Sequence, residues 1–308
     1  MNPKTLWLLL RDAVQRYFND KAPRLAAALA FYTAFSLAPL LVIAVAFAGF
    51  FVDEVLVERQ VAAQLQSLVG PAAAQFIAEV MESAAASRGN VLATLIGLGV
   101  LLFAATGVLH QLQMSLNTIW GVAPKPELNL MALTRARLLS FAMILIIGFL
   151  LLVSLLISAV LAVLDEYLRA IVPGAPLLWR LLNLSISFGF TTLLFAMIFK
   201  FLPDAHVKWR DVWVGAGVTA LLFSIGKYVI GLYLGNSGIS LIYGAAGSFA
   251  VLLLWVYFSA QIVLFGAELT QLYANRYGSH IVPSELAVPI TQATRAAAEA
   301  RRERAERG

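Results

Sequence analysis

The chain has no cysteine among its 308 residues. Disulfide scaffolds, thiolate metal sites and cysteine nucleophiles are therefore excluded. Charge is also scarce: 13% of residues are Asp, Glu, Lys or Arg, against ~25% in ordinary soluble domains. Histidine occurs three times. A disordered chain needs low hydrophobicity and high net charge, and this one has neither. What it has is apolar content, 61% of residues, with a mean hydropathy of +0.84. A water-soluble core of this size cannot hide that much apolar surface. The composition points to an all-α, polytopic membrane protein.

A helix needs ~20 mostly apolar residues to cross the bilayer. Six segments satisfy this: 25–52, 91–113, 138–164, 178–202, 212–234 and 244–272. They are continuous runs rather than alternating strands of about ten residues, which argues against a barrel. The N-terminus does not read as a cleaved signal peptide, because Lys4, Arg11, Arg16, Lys21 and Arg24 precede the first long apolar run. Of the 22 Lys and Arg, all but Arg59, Arg88, Arg169, Arg180 and Lys227 fall on one side of these spans. By the positive-inside rule both termini are expected in the cytoplasm. The net charge of +5 is then a topology signal and an attraction to anionic lipid. The basic residues are scattered over loops, and no nucleic-acid-binding module is present.

The expected organisation is a six-helix membrane domain over 1–278 and a cytoplasmic charged tail over 279–308. Ahead of the first span, Leu6, Trp7, Leu10, Val14, Tyr17 and Phe18 recur at helical spacing. They predict an amphipathic helix over 4–18, lying at the interface or simply leading into span 1. Residues 53–90 read as two short external helices broken at Gly70-Pro71. In the second, Ala73, Phe76, Ile77, Val80, Met81 and Ala84 share a face that suits the outer end of the bundle or the outer leaflet.

Ionisable residues inside a membrane are functional candidates by default. Two stand out: Lys227 on span 5 and Glu268 on span 6. Counting 1.5 Å per residue from the span centres separates them by about 21 Å of depth, too far for a direct pair. Arg24, at the entry of span 1, is the expected partner of Glu268; the alternative is that each meets headgroups or water separately. Lys227 either snorkels or bonds locally, or faces an anionic substrate group, with Tyr228 and Gln261 as candidate neighbours. Pro39 should kink or unwind span 1. Gly244 and Gly247 should make the start of span 6 irregular. Gly231 and Gly235 form a Gly-x-x-x-Gly, and Ala216, Ala220 and Ser224 recur every four residues; both patterns allow close helix approach, within the bundle or in a homo-oligomer. His110, Gln111, Gln113 and Asn117 either line a polar inner mouth or meet the interface.

Three stretches carry a family resemblance. They are Arg24-Leu-Ala-Ala-Ala-Leu-Ala-Phe-Tyr-Thr-Ala-Phe-Ser-Leu-Ala-Pro39, Gly107-Val-Leu-His-Gln-Leu-Gln-Met-Ser-Leu-Asn-Thr-Ile-Trp120, and Tyr243-Gly-Ala-Ala-Gly-Ser248 with Leu254-Trp-Val-Tyr-Phe-Ser-Ala-Gln261 and Gly266-Ala-Glu-Leu-Thr270. Together the sequence resembles the YihY/BrkB family of bacterial inner-membrane proteins. The resemblance implies a six-helix membrane protein, and family members have carried the labels of serum-resistance factor, ribonuclease and transporter. The ribonuclease label finds no support in the residues. A metal-dependent nuclease needs clustered ligands, and His110, His206 and His280 have no close carboxylate cluster in sequence. Gly235-Asn-Ser-Gly238 imitates the Gly-x-Ser of intramembrane proteases, but spans 5 and 6 hold no histidine to serve as base.

The function expected is transport or lipid handling of an amphiphilic, anionic substrate, with membrane lipids as partners and no nucleic acid. The alternative is a non-catalytic protein of envelope integrity or assembly. No enzyme activity, metal or cofactor is expected, and no nucleotide-binding loop is present to harness ATP.

Overall fold

The computed structural model describes residues 3–48, 66, 74–75, 77–79, 107–125, 176–236 and 246–291. The expected third span at 138–164, most of the second and most of the external segment lie outside these residues, as does Gly244.

The amphipathic N-terminal segment forms α1, Pro3–Asn19, with a proline at the position where a missing N–H costs nothing. It ends in an elbow. Lys21 takes φ 56°, a left-handed conformation in which the chain can turn, and its carbonyl accepts from Arg24 N at 2.9 Å. Pro23 then sits in the first turn of α2, Ala22–Ala48. The helix α2 continues through Pro39 without interruption, so the expected local unwinding is absent. Its neighbours in the described chain are α3 (107–120), α4 (Pro176–Phe201), α5 (Trp209–Asn236) and α6 (Gly247–Tyr277). Among the described residues, three helices are long and apolar enough to cross a membrane: Leu184–Phe201 within α4, Trp209–Leu234 within α5, and α6. Gly247 is buried at the start of α6.

The helix α6 is the hub. Its 31 residues run about 46 Å at 1.5 Å per residue and pack against α1, α2 and α5. The contact with α5 is antiparallel and built on two small residues. Gly215 leaves the space that Thr270 fills, and Gly266 leaves the space that Thr219 fills. A Cβ added at Gly215 would lie 2.7 Å from Thr270 Cβ, and one at Gly266 would lie 2.8 Å from Thr219 Cβ. Each threonine folds its hydroxyl back along its own helix: Thr219 donates to Gly215 O and Thr270 to Gly266 O, both at 2.7 Å. The two helices thus carry the same Gly-x-x-x-Thr unit and close on each other reciprocally, with no buried hydroxyl left unpaired. The small residues Ala216 and Ala220 are fully buried beside it. Gly231, by contrast, is exposed, and a Cβ there would meet nothing within 4 Å. Close packing of α5 is concentrated at 215–220 rather than at the Gly231–Gly235 pair, whose second member is described for its backbone alone.

Apolar side chains cover the outside of these helices. Phe31, Phe35, Leu221, Ile225, Val229 and Leu232 are all more than half exposed, as expected where the surrounding solvent is hydrocarbon. At one end, Ile77 from the external segment is buried against Ile230 and Leu234 of α5 and Val251 and Leu252 of α6. Of the face expected at the outer end of the bundle or on the outer leaflet, Ile77 packs on the helices.

The opposite end departs from the all-α expectation. Two short antiparallel ladders form there: β1 (Val122–Pro124) with β4 (Ala287–Pro289), and β2 (Ala205–His206) with β3 (Val282–Pro283). Their register is Val122↔Pro289 and Ala205↔Pro283. Lys125 N and Ser284 N add bonds to Leu286 O and Asp204 O. Residues 279–291, which open the expected charged tail, return to tie the connectors after α3 and α4. Strands of two and three residues with proline in them carry no periodic signal, and their partners lie far away in sequence.

The Gly–Thr contact predicts a sharp contrast. Gly266→Val should destabilise the detergent-solubilised protein by about 1–3 kcal/mol or more, because rigid helix backbones must separate. Gly231→Ala should be neutral or stabilising by up to about 1 kcal/mol, from helix propensity alone. Thermal unfolding of the two variants beside the wild type measures both.

Candidate functional site

The polar groups of the described chain gather where α1 lies antiparallel to the C-terminal half of α6. One face of α1 is apolar and buried there: Leu9 and Ala13 pack on Leu269 and Leu272, and Tyr17 lies edge-on to Phe265 with ring centroids 5.9 Å apart. Its other apolar residues, Trp7, Val14 and Phe18, remain exposed. The expected single stripe is thus divided between α6 and the surroundings.

Beside the buried stripe runs a polar one, Asp12, Arg16 and Asp20, at i, i+4 and i+8. Asp12 pairs with Arg276. The Arg16 Nη1 donates to Gln271 Oε1 at 2.7 Å. The Asp20 side chain lies within hydrogen-bonding reach of Glu268. On the next turn Tyr17 donates its hydroxyl to Gln261 Oε1 at 3.0 Å. Burial, with a smaller push from Tyr257, drives the Tyr17 hydroxyl up to about 12, so it stays a donor across the physiological range.

Glu268 is the unusual member. It is 0% exposed, and no donor reaches either of its carboxyl oxygens. The group that faces it is another carboxyl. Burying an ionised carboxylate without donors costs several kcal/mol, and two carboxylates sharing one site disfavour double ionisation. The expected clamp with Arg24 is not formed: Arg24 is exposed, and neither Glu268 oxygen has a hydrogen-bond donor. Helical spacing alone could not show that Asp20, on the preceding helix, would take that place.

The ends of the polar stripe titrate in opposite senses. The hydrogen bond from Arg276 is the main cause that holds Asp12 below its ordinary value of 3.8. Its contribution to docking is therefore present above that value and lost as pH falls. Burial, the largest cause at Asp20, raises that carboxyl above its ordinary value, against the pull of Glu268 and Arg16. Its contribution favours the docked state in acid and is lost as pH rises through the raised value.

The other expected site residues are dispersed. Lys227 is half-buried and rests over the Phe223 ring on its own helix, Nζ 6.0 Å from the centroid. That is the local contact, and it points back along α5. The register set by Gly215·Thr270, Thr219·Gly266 and Gly226·Ile262 places Lys227 level with Gln261. Glu268 is then roughly 10 Å further along the axis at 1.5 Å per residue. The separation of the two charges holds, although it is shorter than the sequence estimate. Tyr228 is 77% exposed on the outside of the bundle.

The polar residues of α3 turn out to be anchors. Asn117 Nδ2 and Gln113 Nε2 donate to the two oxygens of Asp204 at 2.8 and 3.1 Å, and Asp204 N donates back to Asn117 Oδ1. Asp211, 1% exposed, accepts from Ser279 N and Oγ and fixes the turn after α6. Gly278 admits that carboxylate: a Cβ there would lie 2.5 Å from Asp211 Cγ. Sequence reading passed over Asp20, Asp204 and Asp211 because all three lie outside the apolar runs. The Asp-x-x-x-Arg-x-x-x-Asp spacing on α1 was the available signal.

These features define the class: an integral membrane protein built from apolar helices, with an amphipathic helix docked on one of them. The family follows from similarity. The model of the family described as virulence factor BrkB matches residues 13–291, and the chain belongs to that family, as the three sequence stretches implied. It is 29% identical over 268 residues to a UPF0761 membrane protein of Pseudomonas paraeruginosa, covering 84% of this chain and 61% of that one. A UPF0761 membrane protein of Ralstonia nicotianae is 29% identical over 275 residues, with 87% and 59% covered. One from Pseudoalteromonas translucida is 26% identical over 259 residues, with 83% of each covered. The chain thus spans less than two thirds of the length of the Pseudomonas and Ralstonia relatives. No solved structure matches.

Glu268→Gln should stabilise the folded protein by about 1–3 kcal/mol, since the amide supplies a donor where none exists and removes a buried acid. Arg24→Ala should change stability by less than about 0.5 kcal/mol, as for an exposed residue outside the site. Chemical unfolding in detergent distinguishes this from the Arg24–Glu268 clamp, in which both substitutions would be destabilising.

Proposed function

We propose that this protein is a six-span inner-membrane protein with both termini cytoplasmic, and that it transports or hands over an amphiphilic, anionic substrate without covalent chemistry. The observation that carries this reading is Glu268: fully buried in a largely apolar helix, with no donor on its oxygens. Such a group is costly in a span, and intramembrane acids recur in substrate and ion pathways. Support comes from Lys227, a half-buried cation with no ion-pair partner among the described residues, whose charge suits a phosphate or carboxylate. It also comes from the exposed aromatic residues of α1, which place lipid within reach of the polar stripe. The substrate route would run along α2, α5 and α6, and Glu268 would be the coupling acid.

A non-catalytic role in envelope integrity is the second reading. The reciprocal Gly–Thr contact and the strand-tied end favour it, since both hold the elements in one arrangement.

The test is reconstitution of the full chain in vesicles carrying a fluorescent phosphatidylglycerol, with a membrane-impermeant quencher added outside. The lipid-handling reading expects faster loss of inner-leaflet fluorescence than in protein-free vesicles. It also expects that acceleration to be lost in Lys227→Ala and Glu268→Gln variants that still insert. Equal rates with and without protein would favour the envelope reading, and unchanged activity in both variants would remove these two residues from the route.

A further inference from the structure

The pairing of Asp20 with Glu268 has a use that does not depend on what the protein carries. We propose that the two carboxyls hold one proton between them, and that its release frees α1 from α6.

The geometry supplies each requirement. Glu268 is sealed from solvent, with no donor on either oxygen. Asp20 is only partly buried, so it gives the pair an opening to water. The two side chains are within hydrogen-bonding reach, and a carboxyl–carboxyl contact of that kind is attractive only when one member carries a hydrogen to donate. With the proton in place, Asp20 and Glu268 form the missing hydrogen bond of the seam. On release the O–H bond breaks, its electron pair stays on the carboxylate, and the proton passes to a buffer base. Two negative charges then face each other across α1 and α6.

One cation, Arg16, stands beside the pair, but no hydrogen bond from it reaches the Glu268 oxygens to take the place of the proton. On α1, Arg16 is committed to Gln271 and the Tyr17 hydroxyl to Gln261. On α6, Arg276 is committed to Asp12. Lys21 and Arg24, at the elbow and the start of α2, are exposed. From α3 the neighbouring side chain is Trp120, whose Nε1 donates to Ala267 O and which does not titrate. A bound metal fits less well than a proton. The Arg16 guanidinium stands beside the pair, and no group of three metal-ligating side chains occurs among the described residues.

The position gives the proton leverage. Asp20 ends the polar stripe of α1 and begins the elbow into α2, so repulsion there acts on both helices. The contacts of Leu9, Asp12 and Ala13 with Leu269, Leu272 and Arg276 lie toward the other end of α1 and can serve as a hinge, while those of Arg16 and Tyr17 with Gln271, Gln261 and Phe265 lie beside the pair and part with it.

The chain has no cysteine of its own, so spin labels can be placed at will. Labels at Gln15→Cys and Tyr277→Cys, both exposed positions, report the α1–α6 separation in lipid vesicles by their dipolar coupling. The wild type should lose coupling when the buffer is shifted from mildly acidic to alkaline, and regain it on return. Glu268→Gln should stay coupled throughout, because its amide donates to Asp20 without a titrating proton. Asp20→Asn should also stay coupled, and it serves as the second variant if the first fails to fold. Coupling that is independent of pH in the wild type, or equally pH-dependent in the variants, overturns the proposal. So does coupling that follows sodium at constant pH, which would make the ligand a metal cation.

Discussion

A carboxyl group with no donor, buried in an apolar helix, is the constraint around which this structure is arranged. Glu268 is sealed from solvent, and both of its oxygens are left without a donor. The helix that carries it is the longest described. The same stretch of α6 supplies Gly266 and Thr270 to the contact with α5, Leu269 and Leu272 to α1, and Gln271 to Arg16. Five residues within about two turns therefore bind both neighbouring helices, α5 and α1. A change in the charge of Glu268 acts at the point where the bundle is most tightly connected.

Tightness elsewhere sets what can move. The reciprocal fit of Gly215 with Thr270 and Gly266 with Thr219 leaves no slack between α5 and α6, since backbone meets side chain directly. At the far end of α6, Asp211 holds Ser279, and the two strand pairs tie 282–289 to the connectors after α3 and α4. The helix α1 has no such fastening. It is held by a narrow apolar stripe and side-chain contacts, partly exposed, and the rest of its apolar surface faces outward. An element of this kind is drawn from the low-stability end of a fold and is the natural place for a conformational change.

Membrane character was legible in composition, because 61% apolar content admits few soluble solutions. The helices at 178–202, 212–234 and 244–272 were legible for the same reason, and so was the amphipathic α1. Glu268 could be singled out because an acid in an apolar run is rare. Its partner could not. Asp20 lies outside the spans, just after α1, and it meets Glu268 because α1 docks along α6, a tertiary contact that local sequence does not announce. The strands were invisible because their pairing joins residues more than 75 positions apart. The Gly–Thr contact was missed for a different reason: the eye goes to Gly-x-x-x-Gly, whereas here a threonine supplies the bulk and a glycine on the other helix supplies the space.

Membership of the BrkB family fixes the kind of protein without fixing its chemistry, and the central physical claim is the state of one side chain. Infrared absorption of the full chain in lipid bilayers at neutral pH measures it, because a protonated carboxyl has a carbonyl stretch separate from that of a carboxylate. A protonated-carboxyl band that disappears in Glu268→Gln is the result expected. A wild-type spectrum with no such band, leaving Glu268 ionised beside Asp20, would contradict the account.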